Sequence, residues 1–395
     1  MRVLPPLAAA GFASMVSIRM TDPMLPALAG EFDVAVAAAA AVITAFTLAY
    51  GVMTLVWGPL GDALGKLRLV GWAALAAMLG SLACAAAPTL PMLVGARLVT
   101  GMCCAAIIPL TIAFVGDTVA YEQRQATLAR LATGTLTGMI AGQVLGGVAA
   151  DTVGWRTGFV LVAGVFAAAG VSVLRLRARL EHAEGPAQAH RDPGSLLAGY
   201  RTIARSRWAR LVLAASLLEG ALVFAALAFV PTWLHESAGL SLSAAGGVVA
   251  AVGVGGLLYV LTAGRWIARL GPPGLARLAA LLLTGGFGAL VAGAGLTPGP
   301  VAWALMAASS ATVGAGFYML HNTLQTLATQ LAPQARATSV GLFAISIFFG
   351  QSIGVALMAE LGPVLGYGVL MGACGLLLGL LGMSVGAALS RRASS

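Results

Sequence analysis

Residues 58–68 read GPLGDALGKLR. They form a short polar island between two apolar runs, residues 36–59 and 68–87. The glycines at 58 and 65 permit a tight turn and close approach of chain segments. Asp62 and Lys66 stand four residues apart and can pair on one helical face. A phosphate-binding loop is excluded: no glycine stands at the required distance before Gly65-Lys66, and position 67 is Leu, not Ser or Thr. The frame returns 206 residues later as GRWIARLGPP, with Gly264, Ala268 and Gly271. A second stretch, GQVLGG from Gly142, returns 208 residues later as GQSIGV from Gly350. Two echoes at nearly equal offsets point to an internal duplication, a mark of chains whose binding site lies between repeats at mid-membrane.

Composition names the solvent. Hydrophobic residues make up 59% of the 395 positions and charged residues only 9%, against about 25% in a soluble domain. Mean hydropathy is +0.95. So few charges cannot cover a water-exposed surface, so the chain reads as a polytopic membrane protein. The net charge of +9 does not signal nucleic acid. The basic residues sit in short gaps between apolar runs, as cytoplasmic loops of membrane proteins do. Cys84, Cys103, Cys104 and Cys374 lie in apolar runs without metal-ligand spacing, so no metal is expected. Met1, Arg2 and the apolar run behind them imitate a signal peptide. Charges at 19 and 22 and the lack of a cleavage site make it a retained first membrane helix.

About 20 apolar residues cross a bilayer as helix. Twelve spans are expected, near 5–29, 36–59, 68–87, 91–117, 127–150, 157–175, 209–233, 243–267, 274–295, 300–328, 336–360 and 363–388. The fold class is therefore all-α, with two pseudo-symmetric six-helix halves. The expected units are 1–175, a polar linker 176–208, and 209–395. Alternate gaps collect Arg2, Lys66, Arg68, Arg124, Arg130, Arg265, Arg269, Arg277, Arg336, Arg391, Arg392 and the run from Arg175 to Arg210. The other gaps hold Arg156 with Glu31, Asp33, Asp151, Glu236 and Glu360. The asymmetry predicts both termini on the cytoplasmic side.

These stretches give the chain a family resemblance over its whole length. It resembles the major facilitator superfamily, and within it the twelve-helix bacterial proton-coupled drug and metabolite antiporters, including arabinose-efflux-permease-like members. Gly58, Asp62, Gly65 and Lys66 match the family's signature loop, while Ala63 and Leu67 stand where basic residues are usual. The resemblance implies a conformational latch there, joined by Asp117 at the end of the fourth span. Arg97 and Gly101 match the Arg-x-x-x-Gly pattern of span 4, whose arginine is implicated in proton coupling in relatives. Gly138, Gly142, Gly146 and Gly147 match the antiporter motif of span 5, with Gln143 in place of its proline.

Arg19 and Asp22 are the charges inside span 1. A charge at the bilayer centre costs about 2.5–3.5 kcal/mol on insertion scales, and a spacing of three puts both on one face, turned to the protein interior. Asp22 with Pro26 resembles an acid-and-proline arrangement that works with the span-4 arginine in relatives. The expected role is a proton switch, Asp22 pairing alternately with Arg97 or Arg19; the alternative is a static pair fixing span 1. Glu219, well inside span 7, is a second candidate for proton coupling or for contact with a cationic substrate. His321, Asn322 and Gln325 form a polar cluster in span 10, and Tyr50, Trp57 and Phe224 are further candidates to line a cavity.

The expected activity is proton-driven export of a small molecule by alternating access, with proton-coupled uptake on the same fold as the alternative. No cofactor is expected beyond the proton gradient. The partners are the substrate, protons and the lipid bilayer, with no nucleic acid and a monomeric state implied by the resemblance. The bacterial inner membrane is the expected location. An enzyme would need a convergent nucleophile, base or metal set, and a channel rings of like charge or a selectivity loop; the sequence offers neither.

Overall fold

The computed structural model describes residues 3–119, 121–181, 203, 205–331 and 336–393. Most of the polar stretch 176–208, together with Arg2 and the side chains of Arg124 and Arg336, lies outside the described residues. The described chain is helical, with no strand among the described residues.

The helices are α1 (Leu4–Arg19), α2 (Leu25–Glu31), α3 (Val36–Ala39), α4 (Ala41–Leu64), α5 (Lys66–Ala86), α6 (Leu90–Thr118) and α7 (Tyr121–Val148). A π-helical turn, Ala149–Val153, extends α7. Then follow α8 (Trp155–Glu181), α9 (Arg207–Ala238), α10 (Leu242–Ala294), α11 (Pro300–Ala328), α12 (Arg336–Leu365) and α13 (Tyr367–Ala393). Among the described residues, ten helices are long and apolar enough to cross a membrane. One of them, α10, breaks at Gly271 and makes two crossings; the interrupted pair α1–α2 supplies one more. Large side chains such as Leu261, Leu281, Val364 and Leu380 stand exposed on the outside, as lipid requires. The protein is a multi-pass membrane protein.

The first span departs from the continuous helix expected over 5–29. It breaks between Met20 and Met24. Pro23 and Pro26 remove two backbone donors, and a proline ring clashes with the carbonyl four residues back. The chain tightens instead: Asp22 N donates to Arg19 O (3.3 Å) and Met24 N to Thr21 O (3.2 Å), both i→i−3 bonds. Asp22 therefore sits in an irregular turn, where side chains and backbone groups can share partners. The last connection also shifts. Glu360 and Pro363 lie inside α12, and the chain turns at Gly366, with φ +85°.

The duplicated stretches take matching conformations. Gly65 (φ +92°) ends α4 and Gly271 (φ +60°) breaks α10, both in backbone regions that L side chains rarely adopt. In α7, a Cβ at Gly142 would meet the Val16 carbonyl of α1, and one at Gly146 the Met20 carbonyl just after it. In α12, one at Gly350 or Gly354 would meet the α9 carbonyls of Leu217 or Ala221. Small residues thus bring backbones together in both places, where packing rather than water drives helix association.

Within the first 181 residues, α1 packs on α7 and α8, α4 on α6, and α5 on α6 and α8. From residue 207, α9 packs on α12 and α13, and α10 on α11 and α13. Two seams join these groups: α7 on α10, and α4 on α12.

Candidate functional site

The break in the first span delivers its charges to the interior. Arg19 and Asp22 are 3% and 0% exposed. Arg19 Nη1 reaches Asp22 Oδ2 at 3.4 Å. From α7, Gln143 Nε2 donates to the same oxygen at 2.8 Å. That shorter bond makes Gln143 a member of the site, a role its appearance as a mere motif departure did not suggest. The signal was present: Gln143 follows a glycine on a face that meets α1, so its polar group has to find a partner there. Asp22 Oδ1, Gln143 Oε1 and Arg19 Nε have no hydrogen-bond partner among the described residues.

Arg97 is fully buried on α6 but is not hydrogen-bonded to Asp22 here. Its Nη1 donates to Ser17 O (3.0 Å) and Ser17 Oγ (3.3 Å), its Nη2 to Thr21 Oγ1 (3.4 Å), and its Nε to Val42 O (3.3 Å). The guanidinium lies 4.1 Å from the centre of the Phe46 ring. Arg97 thus ties α6 to α1 and α4, and its Thr21 contact is next in sequence to Asp22. Of the two partners considered for Asp22, Arg19 holds it in this conformation.

A second charged pair comes together from distant sequence. Glu219 on α9 is fully buried, and its Oε2 lies 3.1 Å from His321 Nδ1 on α11. Phe317 and Phe343 flank the imidazole, each at 5.2 Å between ring centres. Asn322 turns to Tyr259 and Gln325 is exposed, so the three polar residues of α11 do not act as one cluster. Phe224 connects the two charged pairs. The Arg19 guanidinium stands 4.4 Å over its ring, and its edge meets Phe317 at 5.3 Å. Tyr50 is buried against Phe348 (4.2 Å) in the α4–α12 seam, and Trp57 donates to Met102 O at 2.7 Å, which fixes α4 to α6.

The seams close around this centre. Thr47 and Ser352 share a hydrogen bond of 2.8 Å between α4 and α12. Gly246 of α10 packs on the Gln143 carbonyl, and Gly147 of α7 on that of Leu242. Below them a crevice too narrow for water is lined by Arg19, Met139, Gln143, Leu227 and Val249. At the signature loop, Lys66 Nζ lies 2.6 Å from Asp62 and 2.8 Å from Asp117. Gly58 has open space where a Cβ would stand, whereas one at Gly61 would strike Leu110; the close approach is made three residues further on. No group of His, Cys, Asp or Glu among the described residues could hold a metal ion.

The profile of the Major Facilitator Superfamily matches residues 7–355. The chain belongs to that superfamily. It is similar, at 23% identity over 86% of this chain and 83% of the other, to an uncharacterized MFS-type transporter, YceJ, of Bacillus subtilis. A 149-residue stretch is 26% identical to the multidrug export protein EmrB of Escherichia coli, covering 38% of this chain and 29% of that one. Among solved structures, a point mutant of the peptide transporter POT superposes with a TM-score of 0.78 at 17% identity, covering 98% of this chain and 95% of that one. A point mutant of the nucleoside transporter NupG gives 0.75 at 14%, covering 96% and 99%. These structures share the fold. This superfamily member is a membrane transporter, not an enzyme.

Proposed function

We propose that this superfamily member exports a small molecule across a bacterial inner membrane by proton antiport, both termini facing the cytoplasm. The observation that carries the proposal is the buried Arg19–Asp22–Gln143 cluster beside Arg97, at the place where the two helix groups meet. Arg19 and Gln143 meet the same oxygen of Asp22, and a proton on that carboxylate releases Arg19. A buried charge so released must find another partner or water, which couples protonation to a rearrangement of α1 against α7 and α9. Each proton crossing 100 mV supplies about 2.3 kcal/mol. Glu219 with His321 is the second proton-coupling candidate, joined to the first through Phe224. Lys66, Asp62 and Asp117 serve as the latch of one conformation. The reading needs no cofactor, and a monomer suffices.

Similarity to the export protein EmrB favours efflux. Proton-coupled uptake is the second reading, supported by Gln143 in the place of the antiporter motif's proline. The test is pH-gradient-driven accumulation of a labelled compound panel in everted vesicles, wild type beside Asp22→Asn. Accumulation that collapses with the gradient and vanishes in the variant is expected. Accumulation retained by the variant would move coupling to Glu219 and make the Arg19–Asp22 pair structural. Gradient-driven loss from the vesicles would favour uptake.

A further inference from the structure

Asp151 lies in the π-helical turn at the end of α7, far in sequence from everything it touches. Its Oδ1 accepts from Leu242 N at 3.2 Å, and its Oδ2 from both Ser243 N and Ser243 Oγ at 2.6 Å. These are the first backbone donors of α10, which no carbonyl within the helix can satisfy. The next one, Ala244 N, goes to the N-cap side chain of Ser241 at 3.2 Å. The start of α10 is therefore capped jointly: by its own serine and by a carboxylate from the other helix group. A negative charge is favoured at this end of a helix. Just inside the clasp, Gly147 and Gly246 let the backbones of α7 and α10 touch.

We infer that Asp151 is the gate clasp of the α7–α10 seam: it holds this side of the transporter closed, and its bonds to Leu242 and Ser243 must break when the seam opens. The inference rests on the alternating-access reading but not on proton antiport. The geometry supports it in three ways. The bonds cross between the two helix groups, at one of the two seams that join them. They sit at the end of the seam rather than in its packed middle. And they lie at the end of α7 remote from the signature loop, where Lys66 makes its own ion pairs.

The test measures the seam directly. In the full chain in lipid nanodiscs, with Cys84, Cys103, Cys104 and Cys374 replaced by alanine, spin labels at Thr152→Cys and Glu236→Cys report the distance between the two groups. A single short distance is expected with Asp151 present. Asp151→Ala should raise the long-distance population about fivefold, the ratio corresponding to loss of a helix N-cap. Asp151→Asn, which keeps one acceptor, should raise it less. Ser243→Pro removes the amide and the hydroxyl but leaves the Leu242 amide on Asp151; it should raise the long-distance population in the same direction, by less than Asp151→Ala. Unchanged distances in Asp151→Ala and Ser243→Pro, in monodisperse protein, would overturn the inference. A shift in distance in a protein that fails the vesicle test would leave the clasp standing and remove only the antiport reading.

Discussion

The two buried carboxylates among the described residues are held in different ways. Asp22 meets a cation three residues away on its own segment, strengthened by an amide from α7. Glu219 meets His321, 102 positions away on another helix, with aromatic rings around the imidazole. The arginine is charged at every physiological pH, so the first pair always contains a positive member. The histidine carries charge only when protonated, so the second pair can be an ion pair or a neutral hydrogen bond. Removing a partner should therefore hurt more in the first pair than in the second.

The largest effect is expected from Arg19→Leu, which leaves Asp22 buried with only the Gln143 amide. Breaking a buried pair from one side costs about 3–5 kcal/mol. Thermal unfolding in detergent should show a large drop, mostly restored in the double variant Arg19→Leu/Asp22→Leu; a double variant as unstable as the single one would mean that Arg19 acts through its stacking on Phe224. Gln143→Leu comes next. A hydrogen bond to a charged group is worth about 1.5–3 kcal/mol, and bonds between membrane helices average nearer 0.6, so about 1–2 kcal/mol is expected by the same assay. Glu219→Gln keeps an acceptor for His321 and should cost about 0.5–1 kcal/mol; a loss equal to that of Arg19→Leu would erase the contrast between the pairs. The smallest effect belongs to Lys66→Ala. Its partners at the signature loop are partly exposed, at 22% for Asp62 and 59% for Asp117, so about 0–1 kcal/mol is expected. A change in transport rate without a change in stability would mark it as a latch.

The same contrast explains which contacts are legible in the sequence. The Arg19–Asp22 pair was visible because residues three apart on one segment share a face whatever the rest of the chain does. The signature cluster was visible for the same reason, with Lys66 four residues after Asp62. The Glu219–His321 pair was not. Glu219 stands alone in its span and His321 in a polar cluster of its own, and no local rule says which face of α9 turns toward which face of α11. In the sequence Tyr50 and Phe224 read alike, as aromatics that could line a cavity; in the structure Tyr50 packs in a seam and Phe224 stands beneath a guanidinium. Asp151 reads in the sequence only as an acid in a gap between two spans.

Sequence alone settled the solvent, the approximate limits of most spans, the repeated glycine faces and the family. These depend on composition and on spacing within a few turns, which helix geometry converts directly into structure. Only the tertiary structure decided where the first span breaks, that Gln143 shares Asp22 with Arg19, that Arg97 turns instead to Ser17, Thr21 and Val42, and that Asp151 caps a helix 91 residues ahead. Each of those outcomes depends on the rotation and depth of one helix against another. In a membrane, apolar pattern constrains that rotation weakly, because lipid and protein interior are equally apolar.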